Sequence, residues 1–166
     1  MTRILGVDPG SRATGWAVIE VEGSRLRLRA SGVLRPRGDD RAARLAWLHG
    51  ELRALVVGEA PETAAVESPF TGINARSALA LAETRGVVLA VLGEAGLEVA
   101  ALSPAAVKSA VVGTGRAEKR QVVYMVVRLL GLAKEPPEDA ADAMAVAIAH
   151  WRQASWSNRL RSTPTR

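Results

Sequence analysis

Three apolar, strand-like runs follow one another at the start of the chain, and every later strand-like run is flanked by helical patterns. This order restricts the architecture more than any other feature of the sequence. Arg3–Asp8 ends in the turn signature Asp8-Pro9-Gly10-Ser11, Thr14–Val21 is rich in β-branched residues, and Arg25–Leu34 opens with alternating Arg and Leu. Only Gly23-Ser24 separates the second run from the third, so the three predict an antiparallel meander. Thr63–Glu67 and Leu97–Leu102 are further strands, separated by a long helical stretch, as a parallel crossover requires. Helices are predicted from Asp39-Asp40 to Val57, from Asn74 to Ala95 with a stop at Gly96, and from Ser103-Pro104 onward. Two more run from the basic segment before Arg120 to Leu130, and from Glu138 to Gln153 beyond the break at Pro136-Pro137. The fold class is therefore α/β: a mixed sheet, a three-strand antiparallel meander plus parallel strands, with helices on both faces. Residues 1–154 read as a single domain, and 155–166 as a frayed basic tail.

Composition narrows the chemistry. The 166-residue chain has no cysteine, which removes disulfides, thiolate catalysis and thiolate-bound zinc. Its two histidines, His49 and His150, are too few for a histidine-built metal site, so any metal must be held by oxygen, as Mg²⁺ or Mn²⁺ are. The formal charge is +5, which favours a polyanionic partner and nucleic acid above all. No run of about 18 apolar residues exists to span a membrane. The first residues enter a strand-like run without a signal-peptide layout, so a cytoplasmic location is expected.

The acids carry the strongest chemical signal. Asp8 closes one apolar strand and Glu67 another (Ala64-Ala65-Val66-Glu67), and ligands of open α/β sheets gather at such strand ends. A carboxylate there is costly unless it is paired or binds a cation. Asp139 and Asp142 stand three apart near the start of the last helix and share one of its faces. The alanines around them let that helix approach a sheet closely. Singly, three of the acids have a plainer role: Asp8 as a turn former before Pro9-Gly10, Asp139 as a helix cap, Asp142 as a first-turn acid favoured by the helix dipole. Convergence of all four would instead call for divalent cations, and two metals roughly 4 Å apart are a common arrangement for phosphodiester hydrolysis.

These residues also carry a family resemblance. Leu5–Gly15 (LGVDPGSRATG), Val66–Phe70 (VESPF), Ala75–Leu79 (ARSAL) and Arg85–Val87 (RGV) resemble successive blocks of the RuvC family of bacterial Holliday-junction resolvases. Val107-Lys108, Val111–Lys119 (VVGTGRAEK) and Asp139–Ala143 (DAADA) continue the likeness in order across nearly the whole chain. The resemblance implies a ribonuclease-H-like fold and a homodimer with one active site per subunit. It implies Mg²⁺-dependent, paired, symmetric nicking of four-way DNA junctions in recombination and repair, with two Mg²⁺ per site and Mn²⁺ as a substitute. Asp8, Glu67, Asp139 and Asp142 then become catalytic, metal-binding carboxylates. Some relatives carry His in the final acid pair; here both members are Asp.

Further roles rest on the same resemblance. Phe70, the sole phenylalanine, would stack on a base near the junction centre, a contact worth roughly 1–3 kcal/mol. Lys119 joins the catalytic set, and Lys108 with it lies near the scissile phosphate. Arg76 and Arg116, and less directly Arg85 and Arg120, would hold the DNA backbone. The branch-migration proteins RuvA and RuvB are the implied partners. Three other readings compete: a ribonuclease-H-like nuclease for RNA–DNA hybrids or RNA ends, a non-catalytic junction-binding module, and an actin-like ATP-binding fold. The last shares the pattern Gly6-Val7-Asp8-Pro9-Gly10-Ser11 but needs a second phosphate loop and an adenosine-binding half.

Overall fold

The computed structural model describes residues 1–68 and 74–161, excepting the side chains of 157–161. Strand β1 (Thr2–Asp8) pairs antiparallel with β2 (Thr14–Glu22), and β2 pairs antiparallel with β3 (Arg25–Leu34), closing the meander. On its other edge β1 pairs parallel with β4 (Thr63–Glu67), which pairs parallel with β5 (Glu98–Leu102). The sheet order is β3-β2-β1-β4-β5. All five strands fall where the apolar runs predict them, within a residue or two at the ends.

Helices α1 (Arg41–Glu59) and α2 (Ala75–Glu94) cover one face of the sheet. Helices α3 (Pro104–Val112), α4 (Lys119–Leu130) and α5 (Glu138–Arg161) build the other side. The starts are set by local chemistry. Asp40, Asn74 and Ser103 each accept a hydrogen bond from the backbone N–H three residues on, satisfying an otherwise unpartnered helix donor. At α4 the cap is a reciprocal box between Glu118 and Gln121.

Strand alternation divides the core in two. Leu5, Val7, Val18, Ala64 and Val66 pack against Leu52 and Val56 of α1 and Val88, Val91 and Leu92 of α2. Ile4, Ala17, Ile19 and Ala65 point the other way, onto α5, whose residues Ala140, Ala141 and Ala143–Ala149 are all buried. Met144 and Ile148 supply the bulk, about 1.5–3 kcal/mol each from burial, while the alanines bring the helix close. Two strand glycines make that approach possible. A Cβ on Gly6 would lie 2.2 Å from the carbonyl oxygen of Ala143, and one on Gly15 would lie 1.9 Å from that of Asp139.

Helix α5 is longer than its sequence pattern suggests. The pattern places its end near Gln153, whereas the helical backbone continues to Arg161. Loss of an apolar stripe signals only that the helix has left the core. Each added residue still gains a backbone hydrogen bond, and the next helix breaker is Pro164. Arg152 anchors the exit from the core by donating to the Ala110 carbonyl at 2.5 Å. Among the described residues, no helix is long and apolar enough to cross a membrane.

Candidate active site

Period-two alternation and strand register together build the site. On β1, Ile4 and Gly6 face α5, so Asp8 faces it as well. On β4, Ala65 faces α5, and therefore so does Glu67. The parallel register pairs Gly6 with Ala65 and Val7 with Val66, which sets Asp8 and Glu67 side by side one step further on. The first turn and a half of α5 crosses just above them, carrying Asp139 and Asp142. Gly15 pairs with Asp8 and has no side chain to hold the Asp139 backbone away.

The electrostatics record this convergence. Burial raises the Asp8 carboxyl to about 6, with the charges of Asp142 and Asp139 adding to the shift. Burial and the neighbouring Asp8 raise Glu67 to about 8. The two carboxyls lie side by side, and their proximity favours a shared proton that lowers the Asp8 value and raises that of Glu67.

Two cations stand against the two acids of α5. The Lys119 ammonium stands 2.9 Å from Asp142 Oδ2 and also bonds Glu138 Oε1. Burial opposes its charge, but the bonds to Glu138 and Asp142 outweigh burial and raise its pKa. From beyond the end of β3, the Arg35 guanidinium reaches within 3.7 Å of Asp139 Oδ2. Lys119 sits in the first turn of α4, where the helix dipole disfavours a cation, so its acidic partners are what hold it there. On the other side of the acids, Asp8, Glu67, Ser68 and Arg85 line a cleft of about 130 Å³. The Arg85 Nε is buried and has no hydrogen-bond partner among the described residues. A wider concavity, about 930 Å³, runs along α4 and contains Lys119 and Glu138 but none of the four acids.

The donor set suits a hard divalent cation: carboxylate oxygens, an acid pair short of positive charge, and no imidazole. Both histidines are engaged elsewhere, His49 with Glu94 at 3.3 Å and His150 with Thr63 Oγ1 at 3.0 Å. Among the described residues no three acidic groups stand close enough to enclose an ion as they are. Asp139 and Asp142 would have to turn from Arg35 and Lys119 to do so.

Of the residues singled out by sequence, Asp8, Glu67, Asp139, Asp142 and Lys119 are brought together. Lys108 is half-buried on α3, and no ion pair joins it to any acid among the described residues. Arg76, in the first turn of α2, and Arg116, before α4, are exposed and are likewise not paired with the four acids. Phe70 lies outside the described residues. Sequence reasoning passed over Arg35, Glu138 and the two glycines. The basic Arg35-Pro36-Arg37 step after β3 was the available signal for the first, and the acid beside Asp139 for the second.

A mixed five-stranded sheet with acids closing two neighbouring strands and a third element covering them defines a ribonuclease-H-like fold with a carboxylate site. The match to known proteins is more specific. The family model described as Crossover junction endodeoxyribonuclease RuvC matches residues 4–150. A protein of that description from Azorhizobium caulinodans is 49% identical over 151 residues, covering 90% of this chain and 89% of its own. The RuvC structure from Thermus thermophilus superposes with a TM-score of 0.87 at 32% identity, covering 94% of this chain and 97% of that one. The same protein in complex with Holliday junction substrate gives 0.89 at 32% identity, covering 95% and 97%. The chain belongs to the RuvC family of crossover junction endodeoxyribonucleases, a family of metal-dependent nucleases.

Proposed function

We propose that this chain resolves four-way DNA junctions by paired, symmetric phosphodiester hydrolysis, acting as a homodimer with one carboxylate cluster per subunit. The observation that carries this reading is the convergence of Asp8, Glu67, Asp139 and Asp142 from three elements in a basic chain of this family. The likeness to a relative solved with a Holliday junction supports the substrate. Mg²⁺ is the proposed ion, two per site, with Mn²⁺ able to replace it. When bound, such ions supply an activated water and stabilise charge on the leaving oxygen.

The protein's own groups do the rest. Asp8 and Glu67, fixed on rigid strands, set the floor of the site, and Asp139 and Asp142 close it from α5. Lys119, freed from Asp142, offsets charge developing on the scissile phosphate. Arg35 beside Asp139 and Arg85 in the cleft extend the positive lining that draws the strand in. Lys108, Arg76 and Arg116 hold backbone phosphates further away, and Phe70 stacks on a base at the junction centre. Delivery of the junction by RuvA and RuvB in the bacterial cytoplasm completes the proposal.

The test is cleavage of a synthetic four-way junction with Mg²⁺, beside linear duplex and RNA–DNA hybrid controls. Junction cleavage should dominate; preference for the hybrid would assign the site to a different nuclease activity. Asp8→Asn should abolish cleavage and leave junction binding within about twofold, because the acid serves the cation rather than the DNA. Cleavage near the wild-type rate in that variant would remove the carboxylate cluster from the chemistry.

A further inference from the structure

Glu138 and Asp142 are four residues apart on α5 and therefore share one face of the helix. Both grip the single ammonium of Lys119, yet the two acids are not alike. The Asp142 side chain is 27% exposed and turned toward the acid cluster, where its charge acts on Asp8 and Glu67. The Glu138 side chain is 72% exposed and stands on the outer side, in the wall of the large cleft along α4. Lys119 thus sits in a two-acid fork with one prong inside the site and one outside. A cation entering the cluster competes with the ammonium for the Asp142 carboxylate. Without the outer prong, Lys119 would keep Asp142 as its only acidic partner.

We infer that Glu138 is a positioning residue that holds Lys119 at the rim of the site and receives its ammonium when a divalent cation takes Asp142. Glu138 touches neither the acids nor DNA in this scheme and acts through Lys119 alone. The inference rests on the reading that the four acids hold the cation. It explains how one lysine can neutralise the cluster in the absence of metal and remain within reach of a phosphate in its presence.

The measurement is Mn²⁺ binding to the DNA-free full chain by isothermal titration calorimetry. It compares wild type, Glu138→Ala, Lys119→Met, the double variant and Asp8→Asn. Glu138→Ala should weaken Mn²⁺ binding about two- to fivefold, the upper range open to an exposed ion pair. The double variant should bind like Lys119→Met, since Glu138 has nothing to act through once the ammonium is gone. An equal loss with and without Lys119 would make Glu138 a through-space charge and overturn the inference, as would no loss at all. Asp8→Asn separates the two readings. If it binds Mn²⁺ as wild type does, the four-acid site itself fails; if it does not, a null cycle at Glu138 counts against Glu138 alone. Thermal melts check that every variant is folded.

Discussion

Asp8 and Glu67 show how a residue can be destabilising in one state of a protein and necessary in another. Their ordinary values lie near 3.8 and 4.5, and the folded chain raises them to about 6 and 8. Between those limits the metal-free native state holds protons that the unfolded chain has released. The contribution of the pair to stability is therefore full below about pH 4 and is lost as pH rises through 6 and 8. Thermal melts in chelator should accordingly show Asp8→Asn gaining on wild type between pH 5 and pH 8.5, by a few degrees at the upper end. Added Mg²⁺ should raise the wild-type melting temperature more at pH 8 than at pH 5.5 and raise that of the variant less. A difference between wild type and Asp8→Asn that did not change with pH would mean that the pair is not strained by its own charge.

At the scale of elements, the meeting of α5 with β1 and β2 decides whether a site exists. Three features act together: Gly6 and Gly15 in the strands, an alanine-rich helix face, and a core strong enough to press one on the other. Gly15→Ala would place a methyl group 1.9 Å from the Asp139 carbonyl oxygen, so the start of α5 must move. The expected cost is about 1–3 kcal/mol in chemical denaturation. Junction cleavage should fall by tenfold or more while junction binding persists, since misplacing a positioned group by about 1 Å can cost a hundredfold. Equal activity in the folded variant would show that α5 need not sit so close. The C-terminal part of the same helix illustrates a different point. By Trp156 its side chain is exposed, so hydrophobic periodicity had no reason to report the continuation.

For the whole molecule, the governing quantity is charge. A net charge of +5 attracts a polyanion without selecting its sequence. Junction affinity should fall steeply with salt, with a log–log slope of roughly −4 to −9 if about five to ten phosphates are engaged. Gel-shift titrations between 50 and 200 mM salt measure this slope. A flat response would mean that shape and stacking carry the binding instead of the basic surface.

Much of this protein was legible in its residues alone. Alternating and continuous apolar runs specify five strands, because side-chain direction in a strand repeats every two residues whatever its partners are. Capping groups at Asp40, Asn74 and Ser103 are local chemistry and mark helix starts equally well. The four acids stood out because a carboxylate closing an apolar strand has few inexpensive explanations. What the residues could not supply is proximity. That Asp8 and Glu67 are neighbours follows from the β1–β4 register, and that α5 covers them follows from two glycines whose absent side chains matter only when a helix lies against them. The engagement of Asp139 by Arg35, of Asp142 by Lys119, and of Lys119 by Glu138 joins residues up to about a hundred positions apart in sequence. The acids were evident as a set of four in the linear chain. Only the packed structure brings them together, raises the proton affinity of Asp8 and Glu67, and holds a lysine between the inside of the cluster and its outside.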